Sequence, residues 1–292
     1  MTAGDHATEL QRLIKMQRTV PVAGVYDGLS AILAARADFE ALYLSGAALS
    51  ASMGLADLGL LTLDDVVHAA RSIARVSSLP LIVDSDTGFG ETLNVMRAVV
   101  ELEQVGAACI QIEDQDFPKK CGHLSDKRLV PSEDMCRKIA AAKRASRHLL
   151  VCARTDAGAI SADEAIRRAK AYQNAGADII FVEAPTDVAE IRRIREEITG
   201  PLLGNMTEFG RTPFISASEW EELSYELVIF PVSALRVSAR AVEDFYRSLR
   251  ANGDVSAHID AMMTRKELYD VIKYFEYEAL DDKIVKSTLP HD

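Results

Sequence analysis

The sequence is short of the features that mark several large protein classes. Positive charge is in deficit: 33 Lys plus Arg stand against 44 Asp plus Glu, a formal net charge of −11. A nucleic-acid binder needs a basic face to displace counterions from phosphate, and docking on anionic lipid needs one too, so neither partner is expected. Long apolar runs are missing as well. The longest uncharged stretches, such as 41–56, are rich in small and polar residues, and no membrane span is expected. Cysteine is sparse: Cys109, Cys121, Cys136 and Cys152 include no CxxC pair, and in 292 residues they read as thiols of a reducing compartment. Acids come early in the N-terminal stretch and no apolar signal core follows, so a cytoplasmic location is expected. No Pro/Gly/Ser-rich linker divides the chain, which favours one domain over 1–292.

What is present is a core-forming composition, 48% hydrophobic, with a repeating pattern. Short, near-continuous apolar runs occur at 20–25, 41–44, 81–83, 109–112, 149–152, 179–182, 201–203 and 227–230, as expected for strands buried on both faces of a parallel sheet. Helical spacing lies between them. One example is Val66, Val67, Ala70, Ile73 and Ala74 behind a capping box at 62–65; another is Val95, Ala98, Val99 and Leu102. Ser161 and Asp187 read as further helix starts, and Gly106 and Gly176 as helix stops. Eight strands alternating with helices predict a (β/α)8 barrel, with a doubly wound open sheet as the rival. Beyond the last barrel helix, expected over about 237–249, an apolar extension over 254–292 includes Ile259, Met262, Met263, Leu268, Ile272, Phe275 and Tyr277. That surface needs cover from the barrel or from a neighbouring subunit.

Polar residues follow nearly every predicted strand. They are Tyr43-Leu-Ser45-Gly46, Asp84-Ser-Asp86-Thr-Gly-Phe-Gly90, Glu113-Asp-Gln115, Arg154-Thr-Asp156, Glu183, Asn205-Met-Thr207-Glu208, and Ser233 with Arg236. In a barrel these converge on the C-terminal mouth. Asp84 and Asp86, two apart, would share a face of a regular strand. With Glu113 at the next strand end and Asp57 in the long loop after the second strand, they form an all-oxygen donor set suited to Mg2+ or Mn2+. Helix caps and salt bridges are the plainer reading of the same acids. Cys121 lies in Lys119-Lys120-Cys121-Gly122-His123, within a long polar loop. Its basic neighbours favour a thiolate, against the plainer reading of an incidental exposed thiol. Cys109, Cys136 and Cys152 have apolar neighbours and read as core thiols. The stretch 88–93 lacks the third glycine of a dinucleotide fingerprint, and a Cys121/His123 thiol protease pair leaves the acidic mouth unexplained. Arg154, Arg236, Arg265, Lys119 and Lys120 supply cations for a small di- or tricarboxylate.

Together the motifs resemble the isocitrate lyase/phosphoenolpyruvate mutase superfamily over about residues 10–286. They are YLSG at 43–46, DSDTGFG at 84–90, IEDQ at 112–115, KKCGH at 119–123, ARTD at 153–156, NMTEFG at 205–210 and TRKELYD at 264–270. The likeness is greatest to the members that cleave 2-methylisocitrate. It implies a (β/α)8 barrel whose C-terminal helix is exchanged between subunits of a homotetramer. It implies Mg2+ at Asp84 and Asp86, assisted by Asp57 and Glu113. Ser45, Gly46, Ala47 and Arg154 would hold the 2-hydroxyacid part of the substrate. Glu183, Asn205, Thr207, Arg236 and Arg265 would hold the remaining carboxylates, with Gly122 and His123 on the loop beside them. Cys121 would be the acid–base residue, and Tyr43 is the candidate for taking the hydroxyl proton. Two departures bear on the substrate: Lys at 120, as in isocitrate lyases, and Ala47-Ala48 where relatives carry glycines. The long insertions of typical isocitrate lyases are absent. Cleavage of 2,3-dimethylmalate or oxaloacetate is the alternative within the superfamily, and a non-catalytic carboxylate binder the alternative outside it.

Overall fold

The computed structural model describes residues 3–120, 122 and 127–285. Eight parallel strands close into a barrel in sequence order: β1 (Val20–Val25), β2 (Ala41–Leu44), β3 (Leu81–Asp84), β4 (Cys109–Glu113), β5 (Leu150–Thr155), β6 (Ile179–Val182), β7 (Leu202–Asn205) and β8 (Leu227–Phe230). The pairing of Val20 with Leu227 and of Val22 with Ile229 closes the ring, which removes the open-sheet alternative. Each crossover carries helix, as a right-handed parallel connection requires.

Period-two alternation sorts the strand side chains into two cores. Leu42, Leu44, Val83, Ile110, Ile112, Val151 and Ala153 pack outward against the helices. Val22, Tyr43, Ile82, Cys109, Cys152, Phe181 and Ile229 fill the barrel interior. The N-terminal helix Ala3–Ile14 adds Leu10 and Leu13, both fully buried, to that inner core, each side chain contributing about 1.5–3 kcal/mol of apolar burial. The predicted helix signals are in place. Thr62 and Asp65 form their capping box, and Ser161 and Asp187 accept from the amides of Glu164 and Glu190. Gly106 and Gly176 take the left-handed conformation past their helices. Cys109 and Cys152 are buried and Cys136 half-buried, all three as free thiols raised by burial.

The chain divides into two compact units, Met1–Arg236 and Val237–Asp292. The boundary falls inside the helix Ser233–Asn252. The second unit contains the helices Arg265–Val271, opened by a Thr264/Glu267 capping box, and Tyr274–Val285. Tyr269 and Tyr274 stack at 4.4 Å between ring centroids. Ile259, Met262, Met263, Phe275 and Tyr277 are exposed. No helix among the described residues is long and apolar enough to cross a membrane.

Candidate active site

The interior register carries directly into the mouth. Tyr43, Asp84, Gln111, Glu113, Arg154, Phe181 and Asn205 each continue the inward-facing set of their strands. Asp84 is the last residue of β3, so Asp86 does not share a strand face with it. The chain instead turns through left-handed backbone at Asp86 (φ 48°), Gly88 (φ 89°), Phe89 (φ 59°) and Gly90 (φ 138°), which folds Asp86 back toward the barrel. Glu113 N donates to Asp86 O at 2.9 Å, and buried Lys138 donates to Thr87 O at 3.0 Å, pinning the turn. Asp84 accepts from Gly46 N at 3.1 Å, Asp86 N at 3.3 Å and Gln111 Nε2 at 3.4 Å. A Cβ on Gly46 would lie 3.0 Å from Asp84 Oδ2 and 3.4 Å from Asp86 Oδ1, so both carboxylates border one small space that only glycine leaves open.

Lys119, 4% exposed, stands among these acids. It bonds Asp57 and lies 2.7 Å from Asp86 Oδ1. Burial pulls its pKa down, but Asp86, Glu113, Asp84 and Asp57 outweigh that and raise it. Lys119 is therefore committed to carboxylates. Burial, opposed by Lys119, pushes Asp86 up to about 6. Glu113 is raised well above the usual carboxylate range, by burial first, with Arg154 opposing. Its Oε1 is buried without a hydrogen-bond partner. Among the described residues no three His, Cys, Asp or Glu side chains gather into a direct metal cage. The donor set nonetheless fits Mg2+, which binds through one or two carboxylates and keeps most of its water. Asp84 and Asp86 would hold it, with Glu113, whose Oε1 is unpartnered, and Asp57 assisting through water.

Arg154 on β5 is the register partner of Glu113 on β4. It donates to Asp156 at 2.9 and 3.0 Å, and lies 3.1 Å from Glu183 and 3.4 Å from Glu113. Its guanidinium sits 5.2 Å from the Phe181 ring centroid. Burial opposes its charge, but Asp156, Glu113 and Glu183 prevail and hold it cationic. Asn205 Nδ2 donates to Glu183 at 3.2 and 3.3 Å, leaving Asn205 Oδ1 buried without a partner. Behind this layer, fully buried Asp114 accepts from Thr155 Oγ1 (2.7 Å), Tyr172 OH (2.7 Å), Asp156 N (2.9 Å) and Arg168 NH1 (3.0 Å). Asp114→Ala strands four buried donors. It is expected to lower the unfolding free energy by about 3–5 kcal/mol in denaturant titration. A loss within about 0.5 kcal/mol, the range of ordinary surface changes, would contradict the role given to this network.

These walls enclose a cavity of about 60 Å³ lined by Tyr43, Ser45, Asp84, Glu113, Arg154 and Thr207 among others. Asp57, Ala47, Glu183, Asn205 and Gly122 also line it, so eleven of the expected site residues meet there. Gly46 and Asp86 lie directly behind it through their contacts to Asp84. Tyr43 OH donates to Gln111 Oε1 at 2.5 Å, and burial, reinforced by Asp84, raises its pKa well above that of free tyrosine. In this geometry Tyr43 is a protonated donor and lends no support to a role as base. Ser45 caps the helix Gly46–Ser52 by accepting from Ala48 N at 3.2 Å. Arg236 is turned to Glu208, at 2.8 Å from Oε2 and 2.9 Å from its carbonyl, with Thr207 Oγ1 at 3.4 Å. Arg265 is the first residue of a helix in the C-terminal unit. Cys121 and His123 lie outside the described residues. On the described residues of this loop, Gln115 grips the Lys120 backbone at both its amide (2.9 Å) and its carbonyl (2.8 Å), and Gly122 is buried over Arg154 and Glu183. A wider cleft of about 520 Å³, lined by Phe89, Phe117 and Lys138, touches Asp86 but contains neither Glu113 nor Arg154.

Sequence reasoning missed Gln111, Phe181 and Ile229, whose only signal was inward register, and the supporting layer of Asp114 and Asp156. It named Lys119 as a cation near the mouth but not as the partner of Asp57 and Asp86.

The family described as phosphoenolpyruvate phosphomutase matches residues 10–250. The chain is 46% identical over 287 residues to 2-methylisocitrate lyase of Bacillus subtilis, covering 98% of this chain and 95% of that one. It is 48% identical over 276 residues to 2-methylisocitrate lyase of Aeropyrum pernix, covering 94% and 90%. Among solved structures it is similar to 2,3-dimethylmalate lyase, a phosphoenolpyruvate mutase/isocitrate lyase superfamily member, with TM-score 0.91, 38% identity and 97% and 96% of the two chains covered. A structure of phosphonopyruvate hydrolase with oxalate and Mg2+ matches with TM-score 0.86 at 30% identity, covering 98% and 100%. The chain belongs to the phosphoenolpyruvate mutase/isocitrate lyase superfamily and is an enzyme of the carbon–carbon lyase kind.

Proposed function

We propose that this enzyme cleaves 2-methylisocitrate to pyruvate and succinate. The observation that carries the proposal is the meeting, around one cavity, of the Asp84/Glu113 acids with Arg154 and the Gly122 loop. Mg2+, when bound, would supply charge for the substrate hydroxyl and its adjacent carboxylate. Arg154, oriented by Asp156, and the Ser45–Ala47 turn would hold the 2-hydroxyacid end. Asn205 Oδ1 is positioned to accept a hydrogen bond, and Thr207, with Arg236 once released from Glu208, would meet the remaining carboxylates. Loss of the hydroxyl proton lets the oxygen form the carbonyl of pyruvate as the adjacent carbon–carbon bond breaks. The electron pair stays on succinate, at the carbon next to a carboxylate, and Cys121 delivers a proton there. Arg265 is proposed as a further cation for the substrate. The exposed apolar face of the C-terminal unit is proposed to be covered by other copies of the chain in a homotetramer.

Cleavage of 2,3-dimethylmalate is the second reading, favoured by Arg236 being engaged with Glu208 rather than open to a third carboxylate. A panel of 2-methylisocitrate, 2,3-dimethylmalate, isocitrate and oxaloacetate, assayed with Mg2+ for α-keto acid and carboxylate products, tests both. Equimolar pyruvate and succinate from the first compound is the expected result. Thermal stabilisation by Mg2+ and a dicarboxylate, with no products from any compound, would identify a binder instead.

One pH effect follows from Asp86. Below about pH 6 the metal must displace a proton from this carboxylate, so apparent Mg2+ affinity falls by about tenfold per pH unit and levels off above that point. Calorimetric titration of metal-free protein measures this. An affinity unchanged from about pH 7 down to about pH 5 would remove Asp86 from the donor set.

A further inference from the structure

Lys127 belongs to none of the roles assigned so far, yet its side chain is only 2% exposed. A lysine is rarely buried so completely unless it is paired. Its ammonium lies 2.7 Å from Asp156 Oδ1 and donates to the carbonyl of Gly122. The same Asp156 carboxylate receives Nε and NH2 of Arg154, and its own amide is fixed by Asp114 at 2.9 Å. Gly122 in turn sits against the Arg154/Glu183 pair so closely that a Cβ there would be 2.4 Å from Arg154 NH2 and 2.3 Å from Glu183 Cγ.

Two parts of the site that are distant in sequence therefore share one buried carboxylate. Asp156 aims Arg154 from the end of β5, and through Lys127 it also sets the height of Gly122 above that arginine. We infer that Lys127 is a positioning residue. It refers the Gly122 backbone and the guanidinium of Arg154 to the same carboxylate, so that Gly122 and the substrate anchor keep a fixed separation. Lysine suits the task because one ammonium donates to a carboxylate and a carbonyl at once. The inference rests on the proposed lyase reaction for its kinetic consequence, but not for its structural one.

The test compares wild type, Lys127→Met and Lys127→Arg in the full-length enzyme with Mg2+. With 2-methylisocitrate, Lys127→Met is expected to lose about 10²-fold in kcat with KM little changed, as a misplaced reacting group does. Lys127→Arg, which again offers donors to both partners, is expected to recover part of that loss. A second readout needs no turnover: the rate at which iodoacetamide alkylates Cys121 without substrate, followed by peptide mass spectrometry. It is expected to rise severalfold in Lys127→Met and to return toward the wild-type rate in Lys127→Arg. If wild type cleaves nothing in the substrate panel, the function proposed above fails while the alkylation comparison still decides the role of Lys127. An unchanged alkylation rate and kcat in Lys127→Met would reduce Lys127 to a buried ion pair. If Lys127→Met does not fold, Lys127→Gln, which fills similar space and keeps one donor, carries the same comparison.

Discussion

Asp84→Asn is expected to lower kcat/KM by about 10³-fold or more while leaving the barrel folded. The change keeps the size of the side chain and an oxygen able to accept from Gly46 N. What it removes is the charge at the one carboxylate that touches the Ser45–Gly46 turn, the Asp86 turn and Gln111 together. Charge stabilisation by a metal at such a site is worth several kcal/mol, and each 1.36 kcal/mol is about tenfold in rate. The midpoint of Mg2+ activation should move to higher concentration in the same variant. A variant with wild-type Mg2+ dependence and a rate within about tenfold would show that the metal is held elsewhere.

Gly122→Ala is the second large effect. Its Cβ would lie 2.3 Å from Glu183 Cγ and 2.4 Å from Arg154 NH2. Neither neighbour is a free end: Arg154 is gripped by Asp156, and Glu183 is held by Asn205 and Arg154. The backbone at 122 has to retreat. Turnover is expected to fall by about 10²-fold or more, the cost of moving a reacting group by an ångström. The thermal midpoint should change little, because this loop is not part of either apolar core. A fully active Gly122→Ala enzyme would mean that the loop does not seat on Arg154 during the reaction.

Both variants sit where the sequence was read best and worst. The strands β1, β2, β6 and β8 begin and end where their apolar runs do. The runs at 81–83, 109–112, 149–152 and 201–203 stop short, because β3, β4, β5 and β7 continue into Asp84, Glu113, Arg154-Thr155 and Asn205. An apolar criterion ends a strand where its polar chemistry begins. Convergence at the mouth was legible because strand order and direction fix it. The way Asp84 and Asp86 meet was not, since it depends on a left-handed turn rather than on strand alternation. Charge pairing was the other hidden layer. The sequence shows Lys119 beside Cys121, but only the fold brings Asp57 and Asp86 to that ammonium. In the same way Asp114, Lys127 and Asp156 look like ordinary loop and strand-end charges until burial brings them together. Arg236 lies near the predicted rim and is turned to Glu208, a pairing across 28 positions that spacing does not reveal.

The decisive measurement is turnover of 2-methylisocitrate by Cys121→Ser at saturating Mg2+, beside wild type. Wild type is expected to give equimolar pyruvate and succinate. The variant is expected to turn over more slowly by orders of magnitude, with Mg2+ binding and thermal stability retained. A Cys121→Ser enzyme that releases both products at close to the wild-type rate would show that Cys121 is not the proton donor.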